Sequence, residues 1–256
     1  MIGACPLPCV CPERVDTPDT AADTAAVIVA GGTGERFGDK RGKQFVDLAG
    51  LPVLAWSLLA FDAAPSVKEI VVVVPRDRER DVETDVLAKI ELRHEVTLSA
   101  GGATRQESVL RGLSRTSADV EFVAIHDGAR PLIEVEAIER CLEPLRSDED
   151  LDGTILATRA IDTCKVVDAD GIIRQTLDRS VLWCAETPQC FRRSTILDAH
   201  TCALVEGFTA TDDASIIEWR GGRVKVVEGS YDNIKVTVPE DLVIATATLA
   251  SRMGIM

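Results

Sequence analysis

The sequence predicts an α/β fold, a mostly parallel sheet with helices on both faces. Three observations predict it. Apolar runs rich in Val and Ile recur at 25–30, 69–74, 95–99, 120–126, 153–158 and 223–228. Segments of helical pattern separate or follow them, at 52–63, 78–92, 104–116, 134–145, 192–206, 211–219 and 239–252. The runs are near-continuous rather than alternating, as in strands covered on both faces.

Residues 1–24, rich in Pro, Asp, Thr and Ala, hold no such run and read as a disordered N-terminal extension. They lack the cationic start and apolar centre of a signal peptide. Cys5, Cys9 and Cys11 lie here, one ligand short of the usual four of a structural zinc site. A domain over 25–252 follows. Its first strand, Ala25-Ala26-Val27-Ile28-Val29, opens into a loop with glycines at 31, 32, 34, 38 and 42. Four cations, Arg36, Lys40, Arg41 and Lys43, share that loop. Glycine lets backbone N–H groups approach an anion, and the cations neutralise it. In a chain of net charge −14, such a loop reads as a polyphosphate cradle. It fits neither G-x-G-x-x-G nor G-x-x-x-x-G-K-[ST].

The run at 69–74, Glu-Ile-Val-Val-Val-Val, is a second buried strand. Gly101-Gly102 follows the third and precedes the helix at 104–116. The strand at 120–126 ends at His126, and Asp127 follows it directly. Residues 159–186 break the rhythm, with two short apolar runs around Asp168-Ala-Asp170-Gly171, a hairpin signal. A two-stranded hairpin lacks a core of its own and needs a packing surface, in its own domain or beyond it. Pro239, with Glu240 and Asp241 behind it, suits the start of the last helix. In open α/β sheets ligands bind beyond the carboxyl ends of strands. The glycine loop, Gly101-Gly102 and Asp127 each follow a strand, so one sheet edge gathers them.

At 256 residues and 46% hydrophobic, the chain has material for one large core. No apolar run approaches the ~18 residues of a membrane span, and the expected compartment is the cytoplasm. With 28 basic against 42 acidic residues, general nucleic-acid binding is disfavoured. A nucleotide pocket needs only local cations and a divalent metal. Cys141, Cys164, Cys184, Cys190 and Cys202 have no paired spacing and read as reduced thiols.

Six further segments stand in order: Gly101-Gly102-Ala-Thr-Arg105-Gln-Glu-Ser108-Val109, His126-Asp127-Gly-Ala-Arg130-Pro131, Thr176-Leu-Asp-Arg179, Thr187-Pro188-Gln189, Thr211-Asp-Asp-Ala-Ser215 and Asp232-Asn233-Ile234-Lys235-Val236-Thr237. With the glycine loop they resemble the sugar-nucleotidyltransferase superfamily, and within it the 2-C-methyl-D-erythritol 4-phosphate cytidylyltransferase family. The resemblance covers residues 25 to 250. It implies a Rossmann-like sheet with a projecting hairpin arm at 159–180 that grips a second subunit, making a homodimer.

The implied reaction is attack by a sugar-phosphate oxygen on the α-phosphorus of CTP, with pyrophosphate leaving. Both reactants are polyanions, so cations and a metal are needed rather than a covalent nucleophile. The resemblance implies Arg36 and Lys43 as catalytic cations and Mg²⁺ as cofactor, its ligands unassigned. It implies Ala30, Gly31, Gly32, Gly34, Gly101, Gly102, Ser108 and Asp127 for CTP, and Thr163, Arg179, Thr187 and Lys235 for the polyol phosphate; Asp232 is open to two readings, contact with the substrate hydroxyls or orientation of Lys235. Arg130 matches a family arginine that braces Asp127, and His126 reads as structural. Arg105 is open to two readings, ligand-facing or paired with a carboxylate. Thr163 also reads as an ordinary strand threonine. The family usually has proline where this chain has Gly42. Rival readings are the same chemistry on another polyol phosphate, such as ribitol 5-phosphate, and a non-catalytic nucleotide-binding regulator.

Overall fold

Val and Ile runs that bury both faces become the central strands. The computed structural model describes residues 22–32, 37 and 42–254. In chain order the elements are β1 (Thr24–Val29), β2 (Asp47–Leu48), β3 (Leu51–Pro52), α1 (Val53–Ala63), β4 (Val67–Val74), α2 (Glu79–Asp85), β5 (Val96–Ala100), α3 (Arg105–Leu113) and β6 (Phe122–Asp127). There follow α4 (Val135–Ser147), β7 (Gly153–Arg159), β8 (Lys165–Val167), β9 (Ile173–Thr176), β10 (Trp183–Arg192), α5 (Arg193–Glu206), α6 (Asp213–Trp219), β11 (Val224–Glu228) and α7 (Pro239–Arg252). Residues 1–21 of the expected extension lie outside the described residues, and Thr24 belongs to the sheet.

Seven strands form one sheet in the order β11-β7-β10-β6-β1-β4-β5. β1 lies inside the sheet, parallel to β4 and β6, with Val27 opposite Val71 and Ile125. Alternate side chains on a strand face opposite ways, so β1 feeds two cores. Ile28 packs with Leu54, Leu58, Phe61 and Ile138 under α1 and α4. Val27 packs with Val109, Leu113, Ile196 and Ile217 under α3, α5 and α6. A third cluster of Leu48, Val53, Leu132, Val236, Ala245 and Leu249 ties α7 to β2 and to the loop before α7.

β10 is antiparallel to both β6 and β7. Its pairing with β7 is irregular: Ala185 pairs with Ala157 but Gln189 with Ile155, so residues 186–188 bulge. The sequence reading named no strand here: 183–186 fell in the break at 159–186 and 187–191 were left unassigned, because Glu186, Pro188 and Gln189 spoil an apolar run. The helix expected over 78–92 is shorter, ending as α2 with a 3-10 turn at Leu87–Lys89. Thr84 is a weak helix former, and its hydroxyl bonds back to the Arg80 carbonyl (3.1 Å).

β8 and β9 make a separate antiparallel hairpin. The Asp168 carboxylate accepts from the N–H groups of Asp170 (3.1 Å) and Ile172 (2.9 Å), and Gly171 takes a φ of 78°. Every residue of both hairpin strands is exposed. Among the described residues no helix is long and apolar enough to cross a membrane.

Candidate active site

From β1 the sheet grows through β4 on one side and β6 on the other. The crevice outside their carboxyl ends is the switch point where such sheets take ligands. A cavity of about 350 Å³ lies there, lined by residues of separate segments: Ala30, Gly31 and Gly32 after β1, Lys43 and Gln44, Gly102 to Arg105 with Ser108, Asp127 to Ala129, and Lys235.

The floor beside β5 is a braced turn. Gly101 donates to the Val74 carbonyl (2.7 Å), and a Cβ there would lie 3.1 Å from both that oxygen and Ser108 Oγ. Ser108 Oγ accepts from Gly102 N–H (3.0 Å) and donates to the Thr104 carbonyl (2.8 Å). Thr104 in turn caps α3, accepting from Glu107 N–H (3.1 Å). Ser108 therefore shapes the Gly101-Gly102 backbone and borders the cavity.

Lys43 opens a 3-10 turn whose Gln44 and Phe45 are buried. Its Nζ donates to the Val236 carbonyl (2.7 Å). Gly42 before it has a φ of 98°, a region closed to proline, so the chain's departure from the family pattern is a backbone departure too. Arg36 and Gly34 lie outside the described residues.

Asp127 is nearly buried between two cations. Arg105 Nε lies 3.2 Å from Oδ1 and Lys235 Nζ 2.6 Å from Oδ2. Burial alone would raise its carboxyl, but Arg105 and Lys235 outweigh that and hold it well below the usual carboxylate range. Arg105 reaches the other way to Asp213 Oδ2 (2.8 Å), and Asp213 Oδ1 accepts from His200 Nε2 (3.2 Å). Arg105 thus pairs with two carboxylates while bordering the cavity. Burial works against its charge, yet Asp213 and Asp127 together push its guanidinium further up.

Behind Asp127 sits a neutral imidazole. His126 is fully buried, which pushes its imidazole down to about 4. Its Nε2–H donates to the Arg130 carbonyl (3.1 Å), leaving Nδ1 to accept from the Thr187 hydroxyl (3.1 Å). Thr187 Oγ1 itself accepts from Asp127 N–H (3.0 Å). Arg130 Nη1 donates to the Asn233 carbonyl (2.6 Å).

Of the residues assigned from sequence, Ala30, Gly31, Gly32, Lys43, Gly102, Ser108, Asp127 and Lys235 share the cavity, and Gly101 sits beneath it. Thr187 is buried behind Asp127. Asp232 is exposed, 3.7 Å from Arg252. Thr163 and Arg179 lie at the hairpin base, outside the cavity lining, with Arg179 Nη1 on the Ile161 carbonyl (2.9 Å). Sequence reasoning missed Gln44, Glu186 and the Asp213–His200 pair. Gln44, next to Lys43 in the cationic loop, and Asp213, within the Thr211–Ser215 segment, carried a local signal; Glu186 and His200 carried none.

A family model described as IspD: 2-C-methyl-D-erythritol 4-phosphate cytidylyltransferase matches residues 24–251. A protein of that name from Pelotomaculum thermopropionicum is 40% identical over 230 residues, 90% of this chain and 95% of the relative. Another from Parasynechococcus marenigrum is 45% identical over 226 residues, 88% and 97% of the two chains. Among solved structures, 4-diphosphocytidyl-2C-methyl-D-erythritol synthase from Anaerococcus prevotii superposes with a TM-score of 0.78 at 30% identity, covering 90% of this chain and 99% of that one. The chain belongs to the 2-C-methyl-D-erythritol 4-phosphate cytidylyltransferase family.

Proposed function

We propose that the chain transfers a cytidylyl group from CTP to 2-C-methyl-D-erythritol 4-phosphate, giving CDP-methylerythritol and pyrophosphate in non-mevalonate isoprenoid precursor synthesis. Family membership supports the reaction. The structural observation that carries it is convergence: Lys43, Arg105, Asp127, Lys235 and two glycine turns, far apart in sequence, share one crevice at the switch point.

A phosphate oxygen of the acceptor forms the new bond to the α-phosphorus as the bond to the β-phosphate oxygen breaks and pyrophosphate leaves. Gly31 and Gly32 present backbone to the phosphates, and Lys43, with Arg36 from the same loop, stabilises charge on their oxygens. Gly101-Gly102 faces the cytosine edge. Asp127 lies on the CTP side, by the ribose and the metal, and Lys235 holds the acceptor phosphate.

Mg²⁺ fits these residues in one mode. Among the described residues no three His, Cys, Asp or Glu side chains are placed to hold a metal by themselves. Asp127 stays ionised and borders the crevice, and Mg²⁺ is commonly shared between one or two carboxylates and substrate phosphates. When bound, the ion neutralises phosphate charge.

The working unit is a homodimer. The hairpin and its flanks expose Ile161, Val167, Ile172, Ile173 and Val181, an apolar surface without a core of its own. Arg179 then serves the neighbour's crevice. Sedimentation as a monomer at assay concentration would refute this. The enzyme works in the cytoplasm, a reading that suits five described cysteines all present as free thiols; cell fractionation tests it.

The reaction is tested by supplying CTP and Mg²⁺ with either methylerythritol 4-phosphate or ribitol 5-phosphate and following pyrophosphate and the CDP-polyol by mass. Turnover with the first, abolished by excess chelator and restored by Mg²⁺, is expected. Preference for ribitol 5-phosphate overturns the acceptor assignment, and undiminished activity in chelator overturns the metal.

A further inference from the structure

The loop between β11 and α7 carries Lys235 to Asp127, and its one deeply buried polar anchor is Asn233. The loop is moored at both ends. Gly229 N–H donates to the Ala157 carbonyl (2.8 Å), and Val236 N–H to the Ala129 carbonyl (2.8 Å). Between those moorings Asn233 does three things. Its carbonyl accepts from Arg130, its Nδ2 donates to the Thr187 carbonyl (3.0 Å), and the same Nδ2 donates to Glu186 Oε2 (3.0 Å).

Glu186 is an unusual occupant of that place. It sits in the bulged stretch of β10, nearly buried, in a strand flanked on both sides by others. Burial pushes its carboxyl up, opposed by the Asn233 hydrogen bond and the Arg130 charge. A buried carboxyl costs stability unless it is hydrogen-bonded, so packing alone would favour an apolar residue here. The bulge turns it under the loop, where a Cβ on Gly229 would come within 2.8 Å of Oε2. Glu186 does not line the cavity.

We propose that Glu186 is a positioning residue: through Asn233 it fixes the loop that presents Lys235 to the acceptor phosphate. The inference rests on the reading of Lys235 as an acceptor-side cation. Lys43 is buffered from it, because Val236, which accepts from Lys43, is held separately by Ala129 and the cluster under α7. The effect therefore falls on acceptor binding rather than on CTP or the chemical step.

The test is steady-state kinetics of the full chain with CTP, Mg²⁺ and methylerythritol 4-phosphate. Glu186→Leu fills the space but accepts no hydrogen bond, and should raise the acceptor KM about tenfold, the usual scale for a lost hydrogen bond to a charged group. The CTP KM should stay within about twofold of wild type, and kcat should change less than the acceptor KM. Glu186→Gln retains an acceptor oxygen for Asn233 and should bring the acceptor KM back to within about threefold. Glu186→Asp, which withdraws the carboxyl by one methylene, replaces Glu186→Leu should that variant not fold, and should raise the acceptor KM in the same direction. A folded variant of either kind with a wild-type acceptor KM overturns the proposal. So does an equal rise in both KM values, the sign of general loosening. Lys235→Gln separates the two layers. If it raises the acceptor KM while the Glu186 variants do not, only the positioning role fails. If it too leaves that KM unmoved, the acceptor-side reading of Lys235 falls with it.

Discussion

Lys43→Ala should lower kcat about a hundredfold or more, the usual consequence of removing one preorganised charge stabiliser. The side chain is well placed for that role. Its backbone is pinned by the buried Gln44 and Phe45, and the Val236 carbonyl steers its ammonium at the crevice. An ammonium held so needs little reorganisation as negative charge builds on the phosphate oxygens. On the proposed reading CTP also meets the glycine backbone and Gly101-Gly102, so the CTP KM should change less than kcat. Lys43→Arg should not restore the rate, because a planar fork cannot replace a point charge in the same space. Steady-state kinetics on variants of native circular dichroism check this. Near-normal turnover of Lys43→Ala would remove the residue from the chemistry.

Asp127→Asn should damage both activity and stability. The carboxylate compensates Arg105 on one oxygen and Lys235 on the other. Its loss leaves Arg105 to Asp213 alone and releases Lys235. Removing one partner of a nearly buried ion pair costs about 3–5 kcal/mol, and kcat/KM should fall by two orders of magnitude or more as Lys235 loses its anchor and the crevice its carboxylate. The pH dependence has a definite sign. The folded carboxyl lies below its unfolded value of about 3.9, so its contribution is fully present above that value. It is lost as pH falls through the folded value. Urea denaturation should therefore show a constant gap between wild type and variant from about pH 7 to 5, narrowing below about pH 4. A gap that widens in acid would contradict the ion-pair account.

The strands read from the sequence include the partly exposed β5 and β11, but those buried on both faces are the plainest. Ala25–Val29 of β1, Ile70–Val74 of β4 and Phe122–Ile125 of β6 are wholly apolar, so composition alone reports them. β10 was not legible, because its bulge turns Glu186, Thr187 and Gln189 inward, where they bind polar groups rather than pack. That omission hid the link from Glu186 through Asn233 to Arg130, which exists only once β10 lies between β6 and β7. The crevice itself was foreseeable, since its segments follow strands at one sheet edge. The direction each side chain faces was not. Thr187 stands in a matching motif, yet its hydroxyl serves His126 and the backbone of Asp127. Arg105 had two readings from sequence. The fold brings Asp213 from α6 within 2.8 Å and gives it two carboxylate partners.

On the proposed reading, a second chain supplies Arg179 to the crevice around Lys43. Subunit complementation tests both halves at once. Inactive Lys43→Ala chains are mixed with inactive Arg179→Ala chains, allowed to exchange, and assayed for CDP-methylerythritol. A mixed dimer then holds one crevice with Lys43 from one chain and Arg179 from the other, and activity should partly return. Verified mixed dimers that stay inactive would contradict the account, because each crevice would then depend on the Lys43 and Arg179 of a single chain.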